Sequence, residues 1–161
     1  MKRRLFLTRA LGAAAGAMAL RTSAATPAQS TTIEKVVKSE DEWRKVLTPQ
    51  QFSVMRQEGT ETPFTSPLNN EKRKGTFVCA ACALPLFESR TKFESGTGWP
   101  SFYDHMAGSL ETKTDLKLIY PRTEYHCERC GGHQGHVFED GPKPTGLRYC
   151  NNGVALKFVT G

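Results

Sequence analysis

The sequence predicts a mainly β domain of antiparallel strands, opened by two short helices. Three observations carry the prediction. After Gly75 the apolar residues come in seven short runs: TFVC, LPLF, LKLIY, TEYHC, GHVF, LRYC and VALKFV. Turn residues separate these runs, among them Gly96, Gly98, Pro100, Gly108, Gly131, Gly141, Pro144 and Gly146. Apolar runs this short, punctuated by Gly and Pro, read as strands. Before Gly75, two capping boxes each precede an apolar segment.

The chain begins with an expected export signal over residues 1–25. Lys2, Arg3 and Arg4 lead into the Ala- and Gly-rich stretch Leu11–Leu20, and small residues follow, with Ser23 and Ala25 placed for cleavage. A twin arginine followed by Phe6 and Leu7 is of the Tat type, which points to the bacterial periplasm. An apolar run this short does not span a bilayer stably. Without residues 1–25, the 22 basic and 16 acidic residues of the whole chain become 17 and 16, because five basic residues and no acidic one fall in the signal. The charge of +6 therefore belongs to the leader and gives no reason to expect nucleic-acid binding. Nor is stable membrane association expected after cleavage.

Residues 26–38 are expected to form a linker, and residues 39–161 one domain. Ser39-Glu40-Asp41-Glu42 caps a helix through WRKVL. Thr48-Pro49-Gln50-Gln51 caps a second through FSVMRQ, with Pro at its first position and Gly59 expected to end it. TETPFTSPLNNEKRKG reads as an extended surface loop.

The cysteines fall into two classes. Cys79 and Cys82 form one C-x-x-C, and Cys127 and Cys130 another. Each such turn aims two sulfurs at one point, and two turns complete a tetrahedron suited to Zn²⁺. A site closed by four thiolates is structural. Disulfides in an exported protein, or a redox pair, are the competing readings, and paired turns in a β context favour metal. Tat export carries folded proteins, so zinc could be loaded before the chain meets an oxidising compartment.

Cys150 stands alone in LRYCNN. On a strand, Arg148, Cys150 and Asn152 would share one face, with the arginine favouring a thiolate. The same pattern fits a structural cysteine beside a solvated arginine. His133 and His136 follow the second C-x-x-C and read as proton donors, surface residues or, least well, metal ligands. Trp99 and Phe102 lie in SGTGWPSF, as packing residues or as walls of an apolar pocket.

Taken together, CAAC, SGTGWPSF, CERCGGHQGHVFEDGPKPTG and LRYCNN resemble the B-type methionine sulfoxide reductases, the peptide-methionine (R)-S-oxide reductases, from about Trp43 to Phe158. The resemblance implies two antiparallel sheets with N-terminal helices and one structural Zn²⁺ on Cys79, Cys82, Cys127 and Cys130. It implies Cys150 as the nucleophile, with His133, His136, Asp140, Arg148 and Asn152 around it, and Trp99 and Phe102 receiving the methyl group of the sulfoxide. The reaction asks for such a set. A soft nucleophile attacks the sulfoxide sulfur, an acid, best matched by His136, protonates the departing oxygen, and an apolar wall selects one epimer. The product would be methionine and a sulfenic acid on Cys150.

Three positions depart from the usual pattern. Thr97 stands where many members carry a second, resolving cysteine, Gln134 where Leu is usual, and Gly153 where Ser is usual. Cys150 is therefore expected to be recycled by an external thiol, thioredoxin-like or other, and the protein to act as a monomer on oxidised proteins or peptides. Two rivals stand beside this reading. One is a structural zinc-binding interaction module without catalysis. The other is a zinc hydrolase built on His133 and His136.

Overall fold

A computed structural model describes residues 33–118 and 120–161. The expected signal peptide, and residues 26–32 of the expected linker, lie outside them. Residues 33–38 are not free linker. Val36 donates its N–H to the Arg129 carbonyl at 2.7 Å, Lys35 pairs with Glu128 at 2.7 Å, and Ile33 and Val36 pack against the core.

Both capping boxes form. Helix α1 (Glu40–Val46) starts at Ser39 and α2 (Pro49–Gln57) at Thr48, each with the reciprocal side-chain bonds that satisfy exposed N–H groups. Trp43, Phe52, Val54 and Met55 bury the inner faces of these helices. The end of α2 differs from expectation. Glu58, not Gly59, takes the left-handed conformation, at φ 55°. Its carboxylate is held by Lys113 and Lys117, which draws its pKa down to about 2. Those contacts favour a conformation that a side chain ordinarily resists.

Among the described residues, nine strands form two antiparallel sheets. Strands β1 (Gly75–Cys79), β2 (Pro85–Glu88) and β9 (Leu156–Thr160) make a three-stranded sheet in the order β2-β1-β9. The larger sheet contains β3 (Lys92–Phe93), β4 (Ser101–Phe102), β5 (Leu110–Asp115), β6 (Arg122–Cys127), β7 (His133–Phe138) and β8 (Arg148–Asn151). Its order is β3-β4-β8-β7-β6-β5. Phe77, Phe87, Phe102 and Tyr125 are fully buried, with Phe87 stacked on Phe102 at 4.2 Å between ring centres. Six of the seven apolar runs lie on strands. LKLIY does not: Leu116 and Tyr120 are exposed in the connection that follows β5. The strand in its place is the polar LETKTD, an edge strand set by its pairing with β6. Among the described residues, no helix is long and apolar enough to cross a membrane.

Candidate active site

Cys150 occupies the middle of the large sheet. On β8 it pairs with His136 of β7 on one side and with Ser101 of β4 on the other. Directly opposed residues of an antiparallel pair hold their Cβ atoms about 5 Å apart on one face, so the register alone sets imidazole beside thiol. Gly135 makes that approach possible, since a Cβ there would lie 1.9 Å from the Cys150 carbonyl oxygen. The half-buried Cys150 opens onto a cavity of about 110 Å³ shared with Trp99, Arg122, His136, Phe138 and Asn152. That is smaller than the roughly 150 Å³ that accepts a benzene ring. It suits the end of a side chain.

The thiol is held by several opposed influences. Burial pushes its pKa above the ordinary value. The Arg148 charge and a hydrogen bond from Thr97 pull the other way, without prevailing. Arg148 is a weaker activator than sequence spacing suggests, because its guanidinium forks onto Asp140 at 2.7 and 2.8 Å and lies 4.3 Å from the centre of the Phe138 ring. Resting Cys150 is thus a thiol rather than a standing thiolate. Thr97 extends the contact into a row of hydroxyls, 2.9 Å to Ser95 and from there 2.8 Å to Ser101.

His136 is fixed through Asp115, whose Oδ2 lies 2.8 Å from its Nε2 and 2.6 Å from Arg122 Nη2. Asp115 also accepts the backbone N–H of Lys117, and these bonds, first that of Lys117 and then that of His136, hold its carboxyl well below the usual range. His133 sits behind His136, almost wholly buried, with Nδ1 3.3 Å from Glu124. Burial pulls its pKa down to about 3, so the ring is neutral. It does not line the cavity, which leaves His136 as the histidine beside the thiol.

Three other expectations change. Phe102 is fully buried between Phe77 and Phe87 and takes no part in the cavity. The strand that points Ser101 elsewhere turns Phe102 into the core. Asp140 is exposed and lies off the cavity; what it does is grip Arg148. Asn152 lines the cavity, but its amide is spent on the backbone, donating to the Gln134 carbonyl and accepting from the N–H of Glu61.

Sequence reading missed four participants: Asp115, Arg122, Thr97 as a hydrogen-bond donor, and Glu61. Glu61 is buried, and its backbone binds both Asn152 and the Trp99 indole N–H at 2.9 Å. Its carboxylate accepts the N–H of Gly153 at 2.6 Å. Trp99, Asn152 and the turn after Cys150 are thereby tied to one residue. The only hint in the sequence is an acid placed in the polar loop TETPF.

The four remaining cysteines converge at the other end of β7. Cys79 and Cys130 sulfurs are 3.6 Å apart, Cys82 and Cys127 3.5 Å, and all four lie within 4.8 Å of one another. Four sulfurs at 2.3 Å from a tetrahedral Zn²⁺ would be about 3.8 Å apart, so the set fits the ion. Hydrogen bonds among the sulfurs push Cys79 and Cys130 up and draw Cys82 and Cys127 down, as expected of thiols that share protons in one tight cluster. Gln134 points here rather than into the cavity, its amide 3.7 Å from Cys79 Sγ. Two further groupings of histidine and carboxylate, around Glu124 and Asp115, already hold the cationic side chains of Lys113 and Arg122 at 2.6 Å.

Residues 47–160 match the SelR domain family. The chain belongs to this family. Its SelR relatives include a peptide methionine sulfoxide reductase MsrB of Methanosarcina barkeri, 58% identical over 78% of this chain and 89% of that protein. A Leptospira interrogans MsrB is 54% identical over 77% of this chain and 95% of its own length. One from Pseudomonas putida is 53% identical over 78% and 96%. The resemblance to the B-type methionine sulfoxide reductases is thus a family relationship. Among solved structures the Mis18 "Yippee-like" domain aligns with 55% of this SelR chain and 97% of its own at TM-score 0.43 and 18% identity, too remote to bear on the site.

Proposed function

We propose that this protein reduces methionine (R)-sulfoxide in proteins or peptides to methionine, using Cys150 as nucleophile and an external thiol as reductant. The observation that carries the reading is the pairing of Cys150 with His136 at the floor of a small cavity walled by Trp99.

The chemistry follows from the arrangement. The methyl and sulfinyl groups enter the cavity against the indole. Cys150 gives its proton to His136 as its sulfur attacks the sulfoxide sulfur, and His136 returns that proton to the departing oxygen. Asp115 steadies the transient imidazolium, as carboxylates do in other acid–base pairs. The sulfur–sulfur bond made in the attack breaks as the oxygen passes to Cys150, so that S–H and S=O are lost, S–O and O–H are gained, and methionine leaves behind a sulfenic acid on Cys150. One external thiol then displaces water to form a mixed disulfide, and a second restores the Cys150 thiol. Thr97 offers no sulfur for an internal disulfide, and the other four cysteines face one another. A single wall at Trp99 supports selection of one epimer.

Cys79, Cys82, Cys127 and Cys130 would hold one structural Zn²⁺, which supplies cross-linking of two chain segments and no step of the reaction. Residues 1–25 support export of the folded protein through the Tat pathway to the periplasm. The test is turnover of a methionine (R)-sulfoxide peptide with dithiothreitol. Cys150→Ser is expected to abolish it with the fold intact; turnover equal to wild type in that variant would remove Cys150 as the nucleophile, and no turnover by the wild type would leave the interaction-module reading in its place.

A further inference from the structure

We propose that an extended stretch of oxidised polypeptide lies across the cavity mouth and seats apolar side chains, two or three residues to either side of the sulfoxide, on Phe64 at one edge and on Leu116, Leu118 and Tyr120 at the other. This rests on the reductase reading above and adds to it a preference for sequence context.

Phe64 is 73% exposed and holds a left-handed backbone, φ 67°. Such a conformation costs a bulky residue about 1 kcal/mol or more. Its N–H donates to the Gly98 carbonyl at 2.7 Å, beside Trp99 of the cavity wall. A Cβ at Gly98 would lie 2.9 Å from the phenyl ring, so glycine there lets the ring rest over the wall. Across the sheet, the connection between β5 and β6 carries Leu116, Leu118 and Tyr120 at 73, 47 and 61% exposure. Both its ends are anchored at the site, where Asp115 binds His136, Arg122 and the N–H of Lys117. Among the described residues, the remaining exposed large apolar side chains, Val37, Val46 and Val159, belong to segments that do not border the cavity.

Single exposed apolar residues need no explanation. Here they belong to segments that adjoin two lining residues of the cavity, Phe64 next to Trp99 and the β5–β6 connection next to Arg122. Strands β8 and β7 separate β4, which follows Trp99, from β6 and β5. Three to four strand spacings at about 4.8 Å make a span of roughly 14–19 Å, the length of four to six extended residues. The cavity takes only the end of the sulfoxide side chain, so the flanking residues of any peptide lie outside it, over these patches.

The chemistry of the occupant points the same way. Methionine is mostly a core residue, and its neighbours on the same strand face are apolar too. Oxidation makes the side chain polar and disrupts that core. An oxidised segment therefore arrives with apolar side chains exposed beside the sulfoxide, matching the two edges of the opening.

The experiment compares two seven-residue peptides with central methionine (R)-sulfoxide, one carrying Leu and one Ser at the positions two residues before and after it. N-acetyl methionine (R)-sulfoxide amide reports the reaction alone. Enzymes are the wild type, Phe64→Asn (asparagine tolerates the left-handed backbone) and Leu118→Ser/Tyr120→Ser, each peptide rate being divided by the same enzyme's rate on the amide. We expect the wild type to favour the Leu peptide by about tenfold in kcat/KM, through KM, as half-burial of two leucines would give. Each variant should bring that ratio below threefold. Equal rates on the two peptides in the wild type would overturn the proposal, as would a preference that survives both variants. So would variants that change only the KM for the thiol reductant, making the patches its docking surface instead. No turnover of the amide by the wild type would sink the reductase reading itself.

Discussion

The two ends of β7 put cysteine to opposite uses. At its start, the turn from β6 brings Cys127 and Cys130 against Cys79 and Cys82, and the sulfurs see one another. Two turns of the pleat away, His136 faces the lone Cys150, which sees an imidazole, an arginine already committed to Asp140, a hydroxyl and a cavity. The side chain is the same. What differs is whether its neighbours are other thiols or an imidazole, an arginine and a hydroxyl, and on the function proposed above that difference separates a sulfur that holds a metal from one that reacts.

The sharpest break of this contrast is at the closed end. Cys127→Ser removes one corner of the cluster. Loss of the ion should cost several kcal/mol and lower Tm by more than about 10 °C, with less than half an equivalent of zinc retained. Calorimetry and metal analysis read both quantities. A variant that kept its Tm would show that the cluster contributes little to the fold.

At the open end the effect should be on rate and not on fold. Asp115→Asn keeps the shape but gives up the charge that steadies the His136 imidazolium. We expect kcat to fall by about 10²-fold, with KM for peptide within a few-fold and a changed pH profile. Steady-state kinetics across pH checks this, and an unaltered profile would mean that His136 acts without Asp115.

The smallest effect concerns the thiol. Burial holds the Cys150 pKa above the ordinary value, so iodoacetamide labelling of the substrate-free protein should be slow at mildly acid pH and climb as pH rises beyond the range of a free cysteine. Thr97→Val removes a bond that lowers this pKa. The midpoint should move further up and labelling at pH 7.5 slow about threefold. Faster labelling in the variant would show that the hydroxyl restrains the sulfur instead.

Much of the fold could be read from the sequence because its signals are local. Ser39 and Thr48 with acceptors three residues on, and apolar runs between glycines, state their structure within a few positions. The polar β5 could not be read so, since an edge strand takes its conformation from the ladder beside it. LKLIY misled for the converse reason: Leu116, Leu118 and Tyr120 are exposed and serve no core. The site divides the same way. Cys150, Arg148, His136 and the paired cysteines announce themselves by motif. Asp115 and Arg122 reach His136 only through the register of β5, β6 and β7, and Glu61 meets Asn152 from 91 residues away. Phe102 was misplaced because motif membership does not tell which way a strand residue points.

Gly153 gives the turn behind the nucleophile a shape that depends on a distant residue. A Cβ at that position would come within 1.8 Å of the Ser66 hydroxyl oxygen. One hydroxyl from a distant stretch of chain thus fills the volume that a side chain at position 153 would need. Positions 66 and 153 share a single parcel of space, and a change at either is intelligible only with the other in view.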